Sequence, residues 1–191
     1  MKIRESGIPE EAYWSTFFDA ACTLDRLMAD IAGSGNIVEF GCGYGTFTVP
    51  AARRTAGVIA ALDIDPDMIE SVQRKAESDG LLNVQTTMCD FVTDGTGLPA
   101  SSQSHAMIFN LLHLPQPVTL LGEAHRVLNP GGALSVIHWR SDIPTPRGPS
   151  LEIRPTPGQC EAWMKEAGFH DVVKVDIQDC CPYHFGLIGR R

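Results

Sequence analysis

Several things are missing from this chain of 191 residues, and each absence narrows its function. It has no run of Lys and Arg, and its formal net charge is −8. Polyanion binding draws its affinity from basic side chains that neutralise phosphates, so nucleic acid is not the expected partner. No apolar run approaches the length of a bilayer span, and the opening Met1-Lys2-Ile3-Arg4-Glu5 has no hydrophobic signal core. The expectation is a soluble, cytoplasmic protein with no membrane partner. The cysteines, at 22, 42, 89, 160, 180 and 181, form no C-x-x-C pair and no metal-ligand spacing. They read as small apolar thiols filling strands and helix faces in a reducing cytosol, with no metal site. No internal repeat or second domain is visible, so residues 1–191 read as a single domain: a leading helical region, 1–33, and an α/β core, 34–191.

What is present centres on Val38-Glu39-Phe40-Gly41-Cys42-Gly43-Tyr44-Gly45-Thr46-Phe47. The pattern predicts a buried strand from Asn36 to Phe40, a glycine loop, and a helix opening near Thr46 and running to about Ala56. Glycines belong where the backbone needs φ > 0 or where a ligand comes too close for a Cβ. At a strand-to-helix turn they mark the nucleotide crevice of an open α/β sheet. The spacing is G-x-G-x-G, not the dinucleotide G-x-G-x-x-G, and Glu39 precedes it. A pyrophosphate settling on the helix N-terminus would be repelled by that carboxylate, whereas a ligand carrying an ammonium and a sulfonium would be attracted. The next strand, Val58 to Leu62, ends in Asp63, where nucleotide-binding folds place a carboxylate that accepts from ribose hydroxyls. Asp65-Pro66-Asp67 is a helix start with Asp65 as its cap.

Further strands follow at Asn83 to Met88, Ala106 to Phe109 and Ala133 to Ile137, with helices between them and Asn129-Pro130-Gly131-Gly132 as a turn. Ser141 to Pro157, rich in proline, is a stiffened segment leaving the fifth strand, and it should border the crevice. A helix from Gln159 to Gly168 and a strand pair, Val172 to Ile177 and Tyr183 to Ile188, close the chain. The apolar spacing of Trp14, Phe17, Phe18, Ala21, Leu24, Met28 and Ile31 makes residues 9–32 helical, in two pieces if Asp19 caps the second.

Glu39-x-Gly41-x-Gly43-x-Gly45, Asp63, Asp90-Phe91 and Leu128-Asn129-Pro130-Gly131-Gly132, in that order, resemble the motifs of the class I S-adenosylmethionine-dependent methyltransferases, of the small, type-11-like kind. The resemblance implies a Rossmann-like three-layer α/β sandwich. Its sheet would have seven strands, mostly parallel, in the order 3-2-1-4-5-7-6, with an antiparallel terminal hairpin. It implies S-adenosyl-L-methionine as cofactor, held by Glu39, Gly41, Cys42, Gly43, Gly45, Asp63, Ile64, Asp90, Phe91 and Asn110. Asp90 would accept from the adenine amino group, with Ile64 and Phe91 against the ring; a turn-initiating role is the alternative for Asp90. The leading helix would help cover the crevice and bring Tyr13 and Trp14 toward a substrate, unless they serve only in packing.

Such an enzyme mainly aligns an acceptor with the methyl carbon and excludes water, so no triad or metal cluster is required. His113, just after the fourth strand, is the candidate base if the acceptor must lose a proton; packing in the loop is its alternative. His138, with Trp139 and Arg140 at the end of the fifth strand, faces the same crevice or the opposite side of the sheet. Arg147 and Arg154 would clamp an anionic group on the substrate or stay solvated. Asn110 is followed by Leu111-Leu112, not the Pro-Pro-aromatic run of adenine amino-methylating enzymes, and no Pro-Cys nucleophile for cytosine methylation stands near this strand. The reading is methyl transfer to a small molecule. Its competitors are a non-catalytic module binding the same cofactor and a nicotinamide-dependent reductase. The oligomeric state is not legible.

Overall fold

The computed structural model describes residues 9–29, 33 and 35–191. Seven strands form one sheet: β1 Ile37–Phe40, β2 Ile59–Asp63, β3 Val84–Met88, β4 Gln103–Phe109, β5 Leu128–Trp139, β6 His170–Val175 and β7 His184–Arg190. Their order is β3-β2-β1-β4-β5-β7-β6. The β1–β2, β1–β4, β2–β3 and β4–β5 pairs are parallel, while β7 runs antiparallel to both β5 and β6. The expected order and terminal hairpin are both present. The chain leaves β1 on one side for β2 and returns on the other as β4, so a crevice opens beyond the carboxyl ends of β1 and β4.

Strand period sorts the core. Val38, Phe40, Ala106, Ile108, Leu134 and Val136 face one side of the sheet, under the helices α5 Pro117–Val127 and α6 Pro157–Glu166. Ile37, Met107, Phe109 and Ile137 face the other, under α2 Ala20–Leu27 and α3 Thr48–Ala52. The helix α4 Pro66–Ser78 packs Val72 on Cys42 and Ala61. Asp65 caps α4, accepting from the Asp67 N–H at 2.9 Å, with Pro66 in the first turn.

The leading region is in pieces, as a cap at Asp19 implies: α1 Glu11–Trp14, a 3₁₀ turn Ser15–Phe17 and α2, with Asp19 accepting from the Cys22 N–H at 2.9 Å; Ile31 lies outside the described residues. Two stretches differ from expectation. α3 stops at Ala52, four residues early, and Asn83 Nδ2 binds the carbonyls of Ala52, Thr55 and Gly57 at 2.9–3.1 Å. Leu128 already pairs with Gln103, so Asn129-Pro130-Gly131-Gly132 is a bulge within β5 and not a turn before it.

The cysteines also depart from the reading of unpaired thiols. Cys22 and Cys180 form a disulfide with Cα atoms 5.6 Å apart, whereas Cys42, Cys89, Cys160 and Cys181 are free. The return of the chain into β7 brings the loop at 180 beside α2, where the Asp19 N–H also donates to the Cys180 carbonyl at 2.8 Å. The bond removes the cysteine ground for placing the protein in a reducing cytosol. Among the described residues no helix is long and apolar enough to cross a membrane.

The disulfide closes a loop across 158 positions of sequence. Replacing both partners by Ser is expected to lower stability by about 2–4 kcal/mol, read from denaturant unfolding under oxidising conditions. Equal midpoints for parent and double variant would contradict a stabilising bond, and titration of free thiols in the unfolded parent reads whether it forms.

Candidate functional site

The crevice holds a cavity of about 400 Å³, within the range of small-molecule sites. Its first wall is the end of β1. Glu39 there is 2% exposed, and the Thr48 hydroxyl at the start of α3 donates to its Oε2. Burial pushes the Glu39 carboxyl up to about 8; the Thr48 hydrogen bond opposes this and the neighbouring Asp63 charge adds to it. Gly41, Gly43 and Gly45 all have positive φ, 70°, 51° and 77°, which is what the alternating spacing supplies. The turn aims the Gly43 N–H at Asp63 Oδ2, 2.8 Å away.

Asp63 ends β2 and is 5% exposed; its Oδ1 accepts from the Asp65 N–H at 3.0 Å. Burial raises its pKa while the backbone N–H donors pull it down. Ile64, Cys89, Asp90, Phe91 and Val92 continue the wall. Asp90 also builds the local turn: its carboxylate accepts from the Val92 and Thr93 N–H groups at 3.2 Å and from the Thr93 hydroxyl at 2.9 Å. The turn-initiating reading and the cavity position therefore coincide in one residue. Phe91 sets its ring edge-on to Phe40 at 5.4 Å. Asn110, at φ 61°, turns the chain out of β4 and lines the same cavity.

The far end is aromatic. Trp14, Phe47, Phe109 and Trp139 line it, with His113, Leu114 and residues 147–149. Phe47 and Phe109 pack at 4.7 Å, and Trp14 and Trp139 at 6.3 Å. His184, buried beside Trp139 at 4.1 Å, reaches Asn110 with its Nε2 3.4 Å from Nδ2. Of the sequence-named residues, Glu39, Gly41, Cys42, Gly43, Asp63, Ile64, Asp90, Phe91, Asn110, His113, Trp14 and Arg147 meet around this cavity. Gly45 turns the chain behind it, against Val72.

Three others stand off. Tyr13 is 46% exposed and packs on Phe17. His138 points to the opposite face of β5 from Trp139, is fully buried, and touches His113 from behind, Nε2 to Nδ1 at 3.2 Å. Arg154, 9% exposed, neither binds the cavity nor meets solvent. Its guanidinium donates to the carbonyls of Pro149, Arg140 and Arg147 at 2.7, 3.0 and 3.1 Å and to the Thr145 hydroxyl at 2.6 Å, and lies 5.9 Å from the Trp139 ring. It gathers the proline-rich strap, as a planar fork with several donors suits. Gly148, at φ 105°, lies so close to Trp139 that a Cβ would come within 2.8 Å of Cγ. The roles of Thr48 and His184 carried no sequence signal, since each depends on a contact between separate elements. Among the described residues no three His, Cys, Asp or Glu side chains are grouped to hold a metal ion.

A carboxyl raised from 4.5 to about 8 binds its proton better folded than unfolded. Its contribution to stability is present below pH 4.5 and is lost as pH rises through about 8. Glu39→Gln is therefore expected to flatten the fall in unfolding free energy between these limits and to be the more stable protein at about pH 9. Denaturant titrations across that range check this. A parent as stable as the variant at the alkaline end would contradict the buried-acid assignment.

Comparisons with known proteins agree with this geometry. The methyltransferase domain family matches residues 37–132. Aklanonic acid methyltransferase DauC of Streptomyces sp. (strain C5) is 31% identical over 118 residues, 59% of this chain and 53% of that protein. Ribosomal protein L11 methyltransferase of Dechloromonas aromatica is 29% identical over 113 residues, 59% of this chain and 35% of that protein. The chain thus matches about a third to a half of the length of these relatives. In structure, a SAM-dependent methyltransferase from Aquifex aeolicus superposes with TM-score 0.77 at 21% identity, covering 95% of this chain and 93% of that one. The [4+2]-cyclase SpnF superposes with TM-score 0.71 at 17% identity, covering 98% and 84%. With the match spanning 96 of the 191 residues, the chain belongs to the methyltransferase domain family, of the class I S-adenosylmethionine-dependent type.

Proposed function

We propose that this chain, acting as a single catalytic domain, transfers the methyl group of S-adenosyl-L-methionine to a small-molecule acceptor by in-line displacement. The observation that supports it is the two-ended cavity. Glu39, Asp63 and Asp90 all lie on the β1–β3 side, and the aromatic chamber closed by the Arg154-gathered strap lies on the β4–β5 side. The residues fit the cofactor: a buried acid held near pH 8 is completed by a positive ligand, and Asp63 is oriented by two N–H donors. The cofactor supplies a methyl group on a sulfonium whose leaving group is a neutral thioether.

What this chain adds is placement. Gly41 and Gly43 bring backbone close to the ligand, Ile64 and Phe91 lie along the wall beside Asp90, and Asn110 lines the cavity just after β4. Trp14, Phe47, Phe109 and Trp139 exclude water around the acceptor and hold it on the line of attack. The enclosure and the net charge of −8 favour a compact, uncharged or weakly charged acceptor over a nucleic acid or a protein surface.

Labelled-methyl transfer into fractionated metabolites, total RNA and ribosomal protein is the test. Label is expected in the small-molecule fraction; incorporation only into RNA or protein would overturn the acceptor class. No transfer at all, with the cofactor bound, would favour a binding module or a cyclase-like use of the cavity. Asp63→Ala is expected to weaken cofactor binding by about 1–3 kcal/mol while remaining folded by circular dichroism. An unchanged affinity would remove Asp63 from the site.

A further inference from the structure

His113 and His138 form a buried pair whose protons can be placed by hydrogen-bond accounting. His138 Nδ1 lies 3.2 Å from the carbonyl oxygen of Trp139, which can only accept, so this nitrogen carries hydrogen. A neutral His138 then has a bare Nε2. That bare nitrogen is 3.2 Å from His113 Nδ1 and is met by a donor when His113 carries its hydrogen there. This placement leaves Nε2 unprotonated provided that Nδ1 also serves the Asn110 carbonyl. His113 itself is a wall of the cavity.

Both rings are kept neutral by their surroundings. Burial holds His138 down to about 3, with the charges of His113 and Arg154 acting in the same sense against the Trp139 carbonyl. Burial and the Arg154 charge lower His113, against the backbone carbonyl of Asn110, which favours the protonated ring. His184, on the other face of the sheet, is lowered for the same reasons. Arg154 is the charged group common to all three.

The chamber beside His113 has its own chemistry. The acids that line the cavity, Glu39, Asp63 and Asp90, come from β1, β2 and the loop after β3. The contributions from the leading helix, the end of β4, the end of β5 and the strap are apolar or aromatic apart from Asn110, His113 and the cation Arg147. An ammonium acceptor would meet no carboxylate there. A carboxylic acid is already ionised at neutral pH and needs no base. A phenol or enol needs one, and its flat apolar body suits aromatic walls.

We propose that His138 is a positioning residue that fixes the tautomer of His113, so that His113 presents a bare Nε2 to the chamber and takes the proton of a phenolic or enolic hydroxyl as that oxygen is methylated. The inference rests on the methyl-transfer reading above. The acceptor oxygen uses a lone pair to form the new bond to carbon, the sulfur–carbon bond breaks with its electron pair going to sulfur, and the acceptor's proton moves to His113 Nε2. The imidazolium then returns that proton to solvent.

Three measurements on the whole protein test this. Nitrogen-15 NMR of the histidine rings at neutral pH is expected to show hydrogen on Nδ1 of both His113 and His138; a His113 carrying hydrogen on Nε2 overturns the proposal without any assay. Turnover is then measured with naphthol and naphthylmethylamine, whose amine is an ammonium at neutral pH, as matched acceptors and labelled S-adenosylmethionine. Methylation of naphthol alone or in large preference is expected; methylation of the amine alone, or of neither while the cofactor binds, overturns the acceptor class. Failure to bind the cofactor would instead strike the underlying methyl-transfer reading. Finally, His138→Leu is expected to lower kcat for naphthol at least tenfold with KM nearly unchanged and to displace the acid limb of the pH profile. His138→Gln, which can donate to the carbonyl and accept from His113, should recover most of it. Equal losses in both variants, or a loss confined to KM, would overturn the positioning role.

Discussion

The fold is arranged around a carboxyl group buried at the tip of its central strand. Glu39 ends β1, the strand flanked by β2 and β4 where the chain changes direction of winding. Placing an acid there costs free energy unless it is neutral, hydrogen-bonded or paired with a cation. The Thr48 hydroxyl meets part of that need, yet burial still holds the group near 8. At neutral pH the group is mostly the neutral acid, and a positive charge brought into the cavity would favour its ionised form. The glycine turn and Asp63 frame the same space, so the loop backbone and the two acids line one cavity.

The second half of the cavity is built from the opposite material and moored by different means. Aromatic rings from the leading segment, α3, β4 and β5 stack into one wall, Phe18 bridging Phe47 and His184 at 5.3 and 4.7 Å. The leading segment is tied down by the Cys22–Cys180 bond and by Arg26, which donates to Asp179 and to the Asp176 carbonyl. The strap is tied by Arg154, whose donors reach four backbone or hydroxyl oxygens of a segment that has few regular hydrogen bonds of its own. The acids of β1–β3 and the aromatic rings thus line one cavity, with Asn110 and His113 following the end of β4.

Much of this was legible because the signals were local. Asp65-Pro66-Asp67 specifies a helix start with neighbours alone, and the continuous apolar run before Asp63 specifies a strand covered on both faces. The strand order is what the resemblance carried by the succession of motifs implies, and the crevice position follows from that order. What escaped depends on contacts between distant parts. Cys22 and Cys180 meet only because β7 returns beside α2. For Arg154 the sequence offers a substrate clamp or a solvated side chain, and it is neither, since a loop arginine near a crevice has no sequence mark that tells either from a hub for carbonyls. For His138 the pattern left two faces open, and strand parity relative to Trp139 decided against direct contact with the cavity. The end of α3 escaped because Asn83, thirty-one positions from Ala52, binds its carbonyls.

The central claim is that the buried Glu39 gives up its proton when a positively charged ligand arrives. Calorimetry of S-adenosylmethionine binding at about pH 7, repeated in buffers of different ionisation enthalpy, measures this directly. The account predicts release of a substantial fraction of one proton, absent in Glu39→Gln. Equal binding heats in all buffers for the parent protein, or the same proton release in the variant, would contradict it.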